Sequence, residues 1–304
     1  MDAAAKLRVR TGAKLNLFLR VLGLRPDGYH ELESIFHSVE FADVLEVAPA
    51  DEISVTMRAG EGFEGDLPPQ EENLIYKAAL ALGERAGTSA GAAIEVTKRI
   101  PIGGGLGGGS SNAAGAIIAL NELWDVRLER ADMIELARSL GSDVLYCIEG
   151  GATSLVTGRG DKLAPLPSVT PLWFVLGIST KPLLTAEVYA HFDTLEASEH
   201  PGPAPMTMAL GEGDKAGVAA LLYNDLQTAA FDLRPELSGK LDALVAAGAI
   251  GAGMTGSGPT LFGIASDEGS ARRIAQSAAG DFDRVVVTSS APACVAGPDP
   301  SGLL

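Results

Sequence analysis

The chain has 304 residues, 46% of them hydrophobic, and a formal net charge of −16 from 39 acidic and 23 basic side chains. This length favours two domains, and the charge argues against nucleic-acid binding, which requires a basic face. Two cysteines, Cys147 and Cys294, are too few for a disulfide framework. The first ten residues lack the apolar core of a signal peptide, and no apolar run is long enough to span a bilayer. We therefore expect a cytoplasmic protein without a membrane partner.

The first half of the chain alternates strand and helix patterns. Alternating apolar residues predict strands at 7–9, 15–22, 36–47, 53–57 and 93–96. Apolar residues at helical spacing predict helices at 73–83, 110–124 and 131–140. Gly141 is a typical C-terminal helix signal.

The second half begins after the prolines at 165 and 167, which predict domains at 1–167 and 168–304. The patterns beyond it predict strands at 172–178, 260–265 and 284–288, with helices at 186–192, 237–247 and 271–278. Residues 199–217 are rich in proline, glycine and acidic residues and predict an exposed loop. The end of the C-terminal tail is expected to be loosely ordered. The whole reads as an α+β protein.

The most informative segment is PIGGGLGGGSSNAA at 101–114, a glycine run that leads into a helical pattern. Glycines let backbone N–H groups converge on an anion, and a following helix N-terminus adds free donors and positive potential. The segment therefore predicts a phosphate-binding loop. Because the whole chain is acidic, the site must be locally positive; Lys14, Lys98 and Arg99 are candidate cations, together with a divalent metal.

Two familiar phosphate motifs fit this segment poorly. A Walker A loop requires lysine after its last glycine, whereas Ser110 follows Gly109. A dinucleotide fingerprint is formally met by Gly103, Gly105 and Gly108, but a glycine run this dense makes the match nearly automatic. Its context is also wrong, because Pro101 interrupts the entry and another helix follows instead of a strand. A nucleotide-binding oxidoreductase is thus disfavoured.

Several separate motifs resemble a third type of phosphate site. Residues 101–114 resemble the loop of the GHMP small-molecule kinases, which mevalonate and homoserine kinases share. AKLNLFL at 13–19 and DGYHEL at 27–32 are similar to the signatures of one branch, the 4-diphosphocytidyl-2-C-methyl-D-erythritol kinases. Further matches follow in order at 140–144, 224–226 and 253–260, so the resemblance covers roughly residues 10 to 290.

This resemblance implies a two-domain GHMP kinase fold of the α+β class. The N-terminal α/β domain is expected to resemble the second domain of ribosomal protein S5, and the C-terminal domain to be ferredoxin-like. With Mg²⁺, ATP would phosphorylate the 2-hydroxyl of 4-diphosphocytidyl-2-C-methyl-D-erythritol, a step of the non-mevalonate (MEP) isoprenoid pathway. The alternatives are a homoserine or mevalonate type of kinase, or a non-catalytic nucleotide-binding regulator. The resemblance leaves the metal ligands open, and we expect a monomer or homodimer.

Two catalytic residues are implied by the resemblance. From the residues alone, Asp143 after Gly-Ser is suited to capping the next turn, and Lys14 to a solvated strand face. The family motif instead makes Asp143 the group that accepts the proton of the hydroxyl. Lys14 would lie beside it, keep it ionised and stabilise the transferring phosphoryl group.

The remaining site residues follow from the same resemblance. Asn16 would orient the acceptor hydroxyl, His30 would read the cytosine edge, and Tyr29 would pack nearby. Thr185 would contact the diphosphate or acceptor, and Tyr189 would stack on the cytosine. The residues expected to bind ATP are Pro101, Gly103, Gly104, Gly105, Leu106, Gly107, Gly108, Gly109, Ser110 and Ser111 around the phosphates, with Asn73 and Lys98 lining the adenine pocket.

The chain departs from the family pattern just after Asp143. The family usually continues Pro-Phe-Phe after residues 140–144, whereas this chain has Leu145, Tyr146 and Cys147. We expect the wall behind Asp143 to shift and the carboxylate to stay in place.

Overall fold

A computed structural model describes residues 6–63, 68–168, 171–196 and 202–299. The strands are β1 (Leu7–Leu24), β2 (His30–Ala50), β3 (Ile53–Ala59), β4 (Gly91–Lys98), β5 (Thr153–Gly158), β6 (Lys162–Pro165), β7 (Trp173–Ile178), β8 (Tyr223–Asn224), β9 (Gly251–Met254), β10 (Leu261–Ala265), β11 (Arg284–Ser289) and β12 (Val295–Asp299). The helices are α1 (Leu74–Ala86), α2 (Gly108–Leu123), α3 (Arg130–Leu140), α4 (Ser142–Glu149), α5 (Thr185–Phe192), α6 (Ala204–Glu212), α7 (Lys215–Ala220), α8 (Leu226–Leu233), α9 (Glu236–Ala246) and α10 (Glu268–Ser277).

The first sheet is built on the long antiparallel pair of β1 and β2, whose register runs from Leu7 opposite Val47 to Leu24 opposite His30. Across the described residues its order is β12-β1-β2-β4-β3, with β5 also paired to β2, β6 to β5 and β8 to β1. Helices α1, α2 and α4 pack with β1, β2 and β4 around one apolar core. The two predicted strands at 7–9 and 15–22 are thus one continuous strand.

The second sheet is antiparallel, with the strand order β11-β7-β10-β9. Helices separate β7 from β9, β9 and β10 form a hairpin, and α10 separates β10 from β11. This β-α-β-β-α-β order is the ferredoxin-like arrangement that the family resemblance implied. Together with the first mixed sheet and its helices, it confirms the two-domain α+β fold.

The last strand crosses back to the first sheet. Strand β12 pairs with β1, with Arg10 opposite Ala296 and Thr11 opposite Val295. The division at 167/168 stays a prediction. None of the described helices is long and apolar enough to cross a membrane.

The predicted loop at 199–217 was wrong from residue 204 onward, where α6 and α7 form. Pro203 is the N-cap of α6 and Pro205 lies in its first turn, where proline is tolerated because the first N–H groups have no helical partners. Met206, Ala209 and Leu210 face the core at helical spacing, a pattern hidden by the surrounding glycine and proline. Residues 199–201, and the end of the predicted tail at 300–304, lie outside the described residues.

Candidate active site

The glycine loop joins β4 to α2. Gly103, Gly105 and Gly107 have φ values of 71°, 76° and 70°, a region that side-chain-bearing residues rarely adopt. A Cβ on Gly105 would lie 2.2 Å from the carbonyl oxygen of Thr255, so glycine is required there. Leu106 is buried, and its carbonyl accepts a hydrogen bond of 3.0 Å from the backbone N–H of Lys14. The loop is therefore pinned to β1 in one shape.

A cavity of about 280 Å³, here called the glycine-loop cavity, lies over this segment. Its walls are Met57, Pro68, Glu72, Asn73, Leu74, Lys98, the loop from Pro101 to Ser110, and Asn112. The structure thus brings together all the residues expected to bind ATP except Ser111. Ser111 is fully buried in α2.

Asn73 and Lys98 shape one side of this cavity. The side-chain oxygen of Asn73 caps α1 by accepting a 3.0 Å hydrogen bond from the N–H of Ile75. The ammonium of Lys98 is buried and donates to the carboxylate of Asp43. Burial lowers the pKa of Lys98, and the Asp43 carboxylate opposes that shift.

Asp43, on β2, was missed by the sequence analysis. Its carboxylate also accepts hydrogen bonds of 2.6 and 2.8 Å from the backbone N–H groups of Arg99 and Ile100, and one of 2.9 Å from the amide of Asn112. Asp43 therefore fixes both ends of the glycine loop, through Lys98 and Ile100 before it and Asn112 after it. A carboxylate inside the apolar stretch 41–45 was the available signal.

A second cavity, of about 200 Å³, lies beside the loop and is here called the lysine–aspartate cavity. Lys14 Nζ is 3.7 Å from Asp143 Oδ2 and donates hydrogen bonds to Asn16 Oδ1 at 2.7 Å and to the Gly105 carbonyl at 3.1 Å. The Lys14 side chain is 5% exposed and the Asp143 side chain 32%. Gly105 and Gly107 line both cavities, so the two spaces meet beside the lysine and aspartate.

Asp143 lies in the first turn of α4, which begins directly after Gly141. The free N–H groups and partial positive charge at a helix N-terminus favour a carboxylate there. Leu145, Tyr146 and Cys147 are buried in the following turns, and the Tyr146 hydroxyl is 2.9 Å from Ser38 Oγ. The departure from the family pattern is thus accommodated within a continuous helix.

Asn16 connects the two halves of the chain. Its amide donates to Ser34 Oγ at 2.9 Å, on the neighbouring strand. Its oxygen accepts hydrogen bonds from the N–H of Gly256 at 2.9 Å and the hydroxyl of Thr255 at 3.1 Å, both from the second half. Because the same oxygen also receives Lys14, the position of the lysine depends on both halves.

Aromatic groups adjoin the lysine–aspartate cavity. Tyr189 lines it, and its ring centroid is 4.6 Å from that of His30. His30 Nε2 lies 2.8 Å from Asp193 Oδ1. Burial and the nearby Asp143 carboxylate raise the pKa of Tyr189. The Tyr29 side chain is 57% exposed and packs under the guanidinium of Arg159, 5.3 Å from its ring centroid.

Thr185 completes the opposite wall. Its hydroxyl lies 2.9 Å from that of Ser257, in the second glycine turn, and both residues line the lysine–aspartate cavity. The structure therefore gathers Lys14, Asn16, Asp143, Thr185 and Tyr189 around one space, with Tyr29 and His30 adjoining it. The sequence analysis missed Ser34 and Arg159, which line the same cavity.

The described residues contain no group of three or more histidine, cysteine or acidic side chains that would hold a metal alone. Mg²⁺ typically keeps several waters and binds through one or two protein oxygens and the substrate phosphates. The hydroxyl-bearing Ser110 lines the glycine-loop cavity, next to where phosphates would lie. These residues fit a nucleotide-borne Mg²⁺.

Comparison with known proteins identifies the class. Residues 73–151 match the family described as GHMP kinases N terminal domain, and residues 206–283 match GHMP kinases C terminal. A crystal structure of homoserine kinase from Cytophaga hutchinsonii superposes with a TM-score of 0.75, covering 97% of this chain and 98% of the other; at 20% identity it shows the fold alone. The fold, the glycine loop and these matches define a GHMP kinase.

Nearer relatives identify the branch. A 4-diphosphocytidyl-2-C-methyl-D-erythritol kinase from Pelotomaculum thermopropionicum is 43% identical over 91% of this chain and 95% of its own length. The one from Nocardia farcinica is 41% identical over 93% of each chain. A crystal structure of 4-(cytidine 5'-diphospho)-2C-methyl-D-erythritol kinase, 33% identical, has a TM-score of 0.78 and covers 93% of this chain and 98% of that chain. The chain belongs to the 4-diphosphocytidyl-2-C-methyl-D-erythritol kinase family.

Proposed function

We propose that the protein transfers the γ-phosphoryl group of ATP to the 2-hydroxyl of 4-diphosphocytidyl-2-C-methyl-D-erythritol, in the non-mevalonate (MEP) isoprenoid pathway. The observation that carries this proposal is the Lys14–Asp143 pair, 3.7 Å apart where the glycine-loop and lysine–aspartate cavities meet. The family's name supplies the acceptor. A cytoplasmic location and a monomeric or dimeric state stay predictions.

The glycine-loop cavity is the proposed ATP site. The backbone N–H groups of Gly103 to Gly109 and the start of α2 would hold the phosphates, while Asn73 and the Lys98 stem would border the adenine. Each charge-assisted hydrogen bond contributes about 1.5–3 kcal/mol, so several together can offset the acidity of the chain. Ser110, whose hydroxyl-bearing side chain lines this cavity, would help to hold a Mg²⁺ ion, which would supply neutralisation of the phosphate charge.

The lysine–aspartate cavity is the proposed acceptor site. Tyr29, His30 and Tyr189 would surround the cytosine: Tyr189 lines this cavity, His30 packs against Tyr189, and Tyr29 lies against Arg159, another lining residue. Asn16 would orient the acceptor hydroxyl. Thr185, whose hydroxyl is 2.9 Å from that of Ser257, would contact the diphosphate between the two ends.

The geometry supports a direct transfer. The 2-hydroxyl oxygen forms a bond to the γ-phosphorus, the bond from the γ-phosphorus to the β–γ bridging oxygen breaks, and ADP leaves. The hydroxyl proton passes to Asp143, which is the carboxylate lining this cavity in the described structure. The ammonium of Lys14 stabilises the charge of the phosphoryl group during transfer.

Steady-state turnover tests the proposal. ADP formation from Mg-ATP would be measured with the cytidyl acceptor, with homoserine, with mevalonate and without an acceptor. Turnover with the cytidyl compound alone is expected. Turnover only with another acceptor would retain the kinase and overturn the acceptor; ATP binding without any turnover would favour the non-catalytic regulator.

A further inference from the structure

Arg159 lies on a short turn between β5 and β6, flanked by Gly158 and Gly160, whose φ values are 74° and 95°. The serine hydroxyl of Ser142, which neighbours Asp143, donates a 2.6 Å hydrogen bond to the Arg159 carbonyl. A Cβ on Gly160 would lie 2.6 Å from the Cβ of Ser142, so only glycine allows this close approach. The turn is thus held against the N-terminus of α4.

The guanidinium of Arg159 lies over Tyr29, beside the lysine–aspartate cavity. It lies 5.3 Å from the ring centroid of Tyr29, and the residue is part of the cavity lining. Two carboxylates act on it: Asp161 Oδ2 lies 3.7 Å from Nε, with side-chain exposures of 40% and 32% for Arg159 and Asp161, and the exposed Asp27 has its pKa lowered in part by the charge of Arg159. An exposed pair this long contributes little, so most of the five N–H donors of the guanidinium are available to a ligand.

The charges around the cavity explain why an anionic acceptor needs a guanidinium there. Among its lining residues, the cations are Lys14 and Arg159. The Lys14 ammonium already donates hydrogen bonds to Asn16 and to the Gly105 carbonyl and forms an ion pair with Asp143. An acceptor carrying a diphosphate would otherwise meet a strongly acidic protein, with a net charge of −16 and Asp143 in the same cavity.

We propose that Arg159 binds the diphosphate of the acceptor and thereby selects nucleoside-diphosphate-linked alcohols over small acceptors. Its turn is bonded beside Asp143, where the hydroxyl reacts, and its guanidinium packs on Tyr29, where the base is placed. In such an acceptor, the diphosphate is what joins these two ends. A planar guanidinium matches its oxygens in a bidentate manner. This inference rests on the proposed function, because it assumes that this cavity takes the acceptor.

Calorimetric titrations with cytidine and with cytidine diphosphate (CDP), both without ATP, separate binding of the diphosphate from binding of the base. In Arg159→Leu, the Kd of CDP is expected to rise about tenfold or more, since charge-assisted hydrogen bonds are lost. The Kd of cytidine should stay within about twofold. Arg159→Lys should keep part of the CDP affinity, and the control Arg272→Leu, which removes an exposed arginine on α10, should leave the Kd of CDP unchanged.

Steady-state turnover tests the role of Arg159 separately from the proposed function of the protein. Arg159→Leu should raise KM for the cytidyl acceptor about tenfold, with kcat and the KM of ATP nearly unchanged, because the residue positions the acceptor and takes no part in proton transfer. Unchanged CDP affinity, or an equal loss for cytidine, would overturn the role of Arg159 even if the wild-type enzyme phosphorylates the cytidyl acceptor. Absence of both CDP binding and turnover in the wild type would instead overturn the proposed function itself.

Discussion

Two buried lysines on neighbouring parts of the first sheet each face an aspartate, yet their surroundings differ. Lys98 and Asp43 form a sealed pair, with side chains 2% and 0% exposed, and backbone N–H groups occupy the other carboxylate oxygen. Lys14 is equally hidden, but Asp143 is 32% exposed and lies 3.7 Å away. The carboxylate of the sealed pair is fully engaged by protein donors, whereas the carboxylate of the open pair lines a cavity.

The same two residue types can therefore have different uses: the sealed pair holds the structure in place, and the open pair is available for chemistry. A buried pair whose hydrogen bonds are all satisfied is costly to break and holds its surroundings in one arrangement. A carboxylate that keeps one side open to a cavity can exchange a proton with a ligand.

Removing the charge of the open pair should affect turnover most. Asp143→Asn is expected to lower kcat about 10²- to 10⁴-fold, because the amide cannot accept the hydroxyl proton. ATP affinity, measured calorimetrically, should barely change. Asp132→Asn, which alters another carboxylate in the first turn of a helix, is the matched control. A variant that keeps most of its kcat would end the catalytic assignment.

Breaking the sealed pair should instead affect folding. Asp43→Asn leaves the Lys98 ammonium buried without a counter-charge, and the free energy of unfolding should fall by about 3–5 kcal/mol. Urea denaturation gives this value directly. The double change Asp43→Asn with Lys98→Met should recover much of the loss, since no charge stays buried and the asparagine oxygen can still accept from the backbone N–H groups of Arg99 and Ile100. A loss below about 1 kcal/mol in the single variant would contradict the sealed-pair interpretation.

A pH titration probes the sealed interior through His37. Burial lowers its pKa to about 4, and its ring nitrogens lie 2.8 Å from the hydroxyls of Thr153 and Ser290. The unfolded chain takes up a proton below about pH 6.5 and the native protein only near pH 4. Stability from this group is therefore complete above pH 6.5 and declines as the pH falls toward 4, by about 3 kcal/mol in all.

His37→Gln isolates that contribution from the carboxylates that titrate in the same range. The free energy of unfolding of the wild type should fall more steeply than that of His37→Gln between pH 6.5 and 4. If the free energy of unfolding of both proteins changed equally with pH, protonation of His37 would make no contribution to stability.

The smallest effect is expected on the open side, at the aromatic wall. Tyr189→Ala should raise the acceptor KM about two- to tenfold, the value of one aromatic contact. Tyr189→Phe keeps the ring and should stay within about twofold. If Tyr189→Phe were as damaging as Tyr189→Ala, the hydroxyl rather than the ring would be the binding group.

Much of the fold could be predicted because its signals are local. The structure confirms the strand alternation, the helix predicted at 110–124 and the glycine loop, because each of these signals is carried by consecutive residues. Helix α4 was missed because Val144, Leu145, Tyr146 and Cys147 are all buried, which leaves no polar face to show its period. Strands β5 and β6 were missed because their pairing depends on β2, far away in the chain.

The site divides in the same way. The loop over the glycine-loop cavity is continuous in sequence, and motifs drew attention to Lys14 and Asp143. The partners that fix these groups come from distant segments: Asn16 is held by Thr255 and Gly256 of the second half. Asp43 and Arg159 carry no motif of their own, so their roles emerge only when β2 and the β5–β6 turn are folded into place.

Strand β12, from the second half of the chain, pairs with β1 of the first half. The two halves are therefore joined by strand pairing as well as by the polypeptide between them. The N–H of Gly12 donates to the carbonyl of Cys294, and Thr11 lies opposite Val295, three residues before Lys14. Deleting residues from 294 onward would strip the outer edge from the strand that carries this lysine. Strand β12 therefore stabilises the strand that carries the proposed catalytic Lys14, and the two halves, made as separate polypeptides, are expected to require each other to fold.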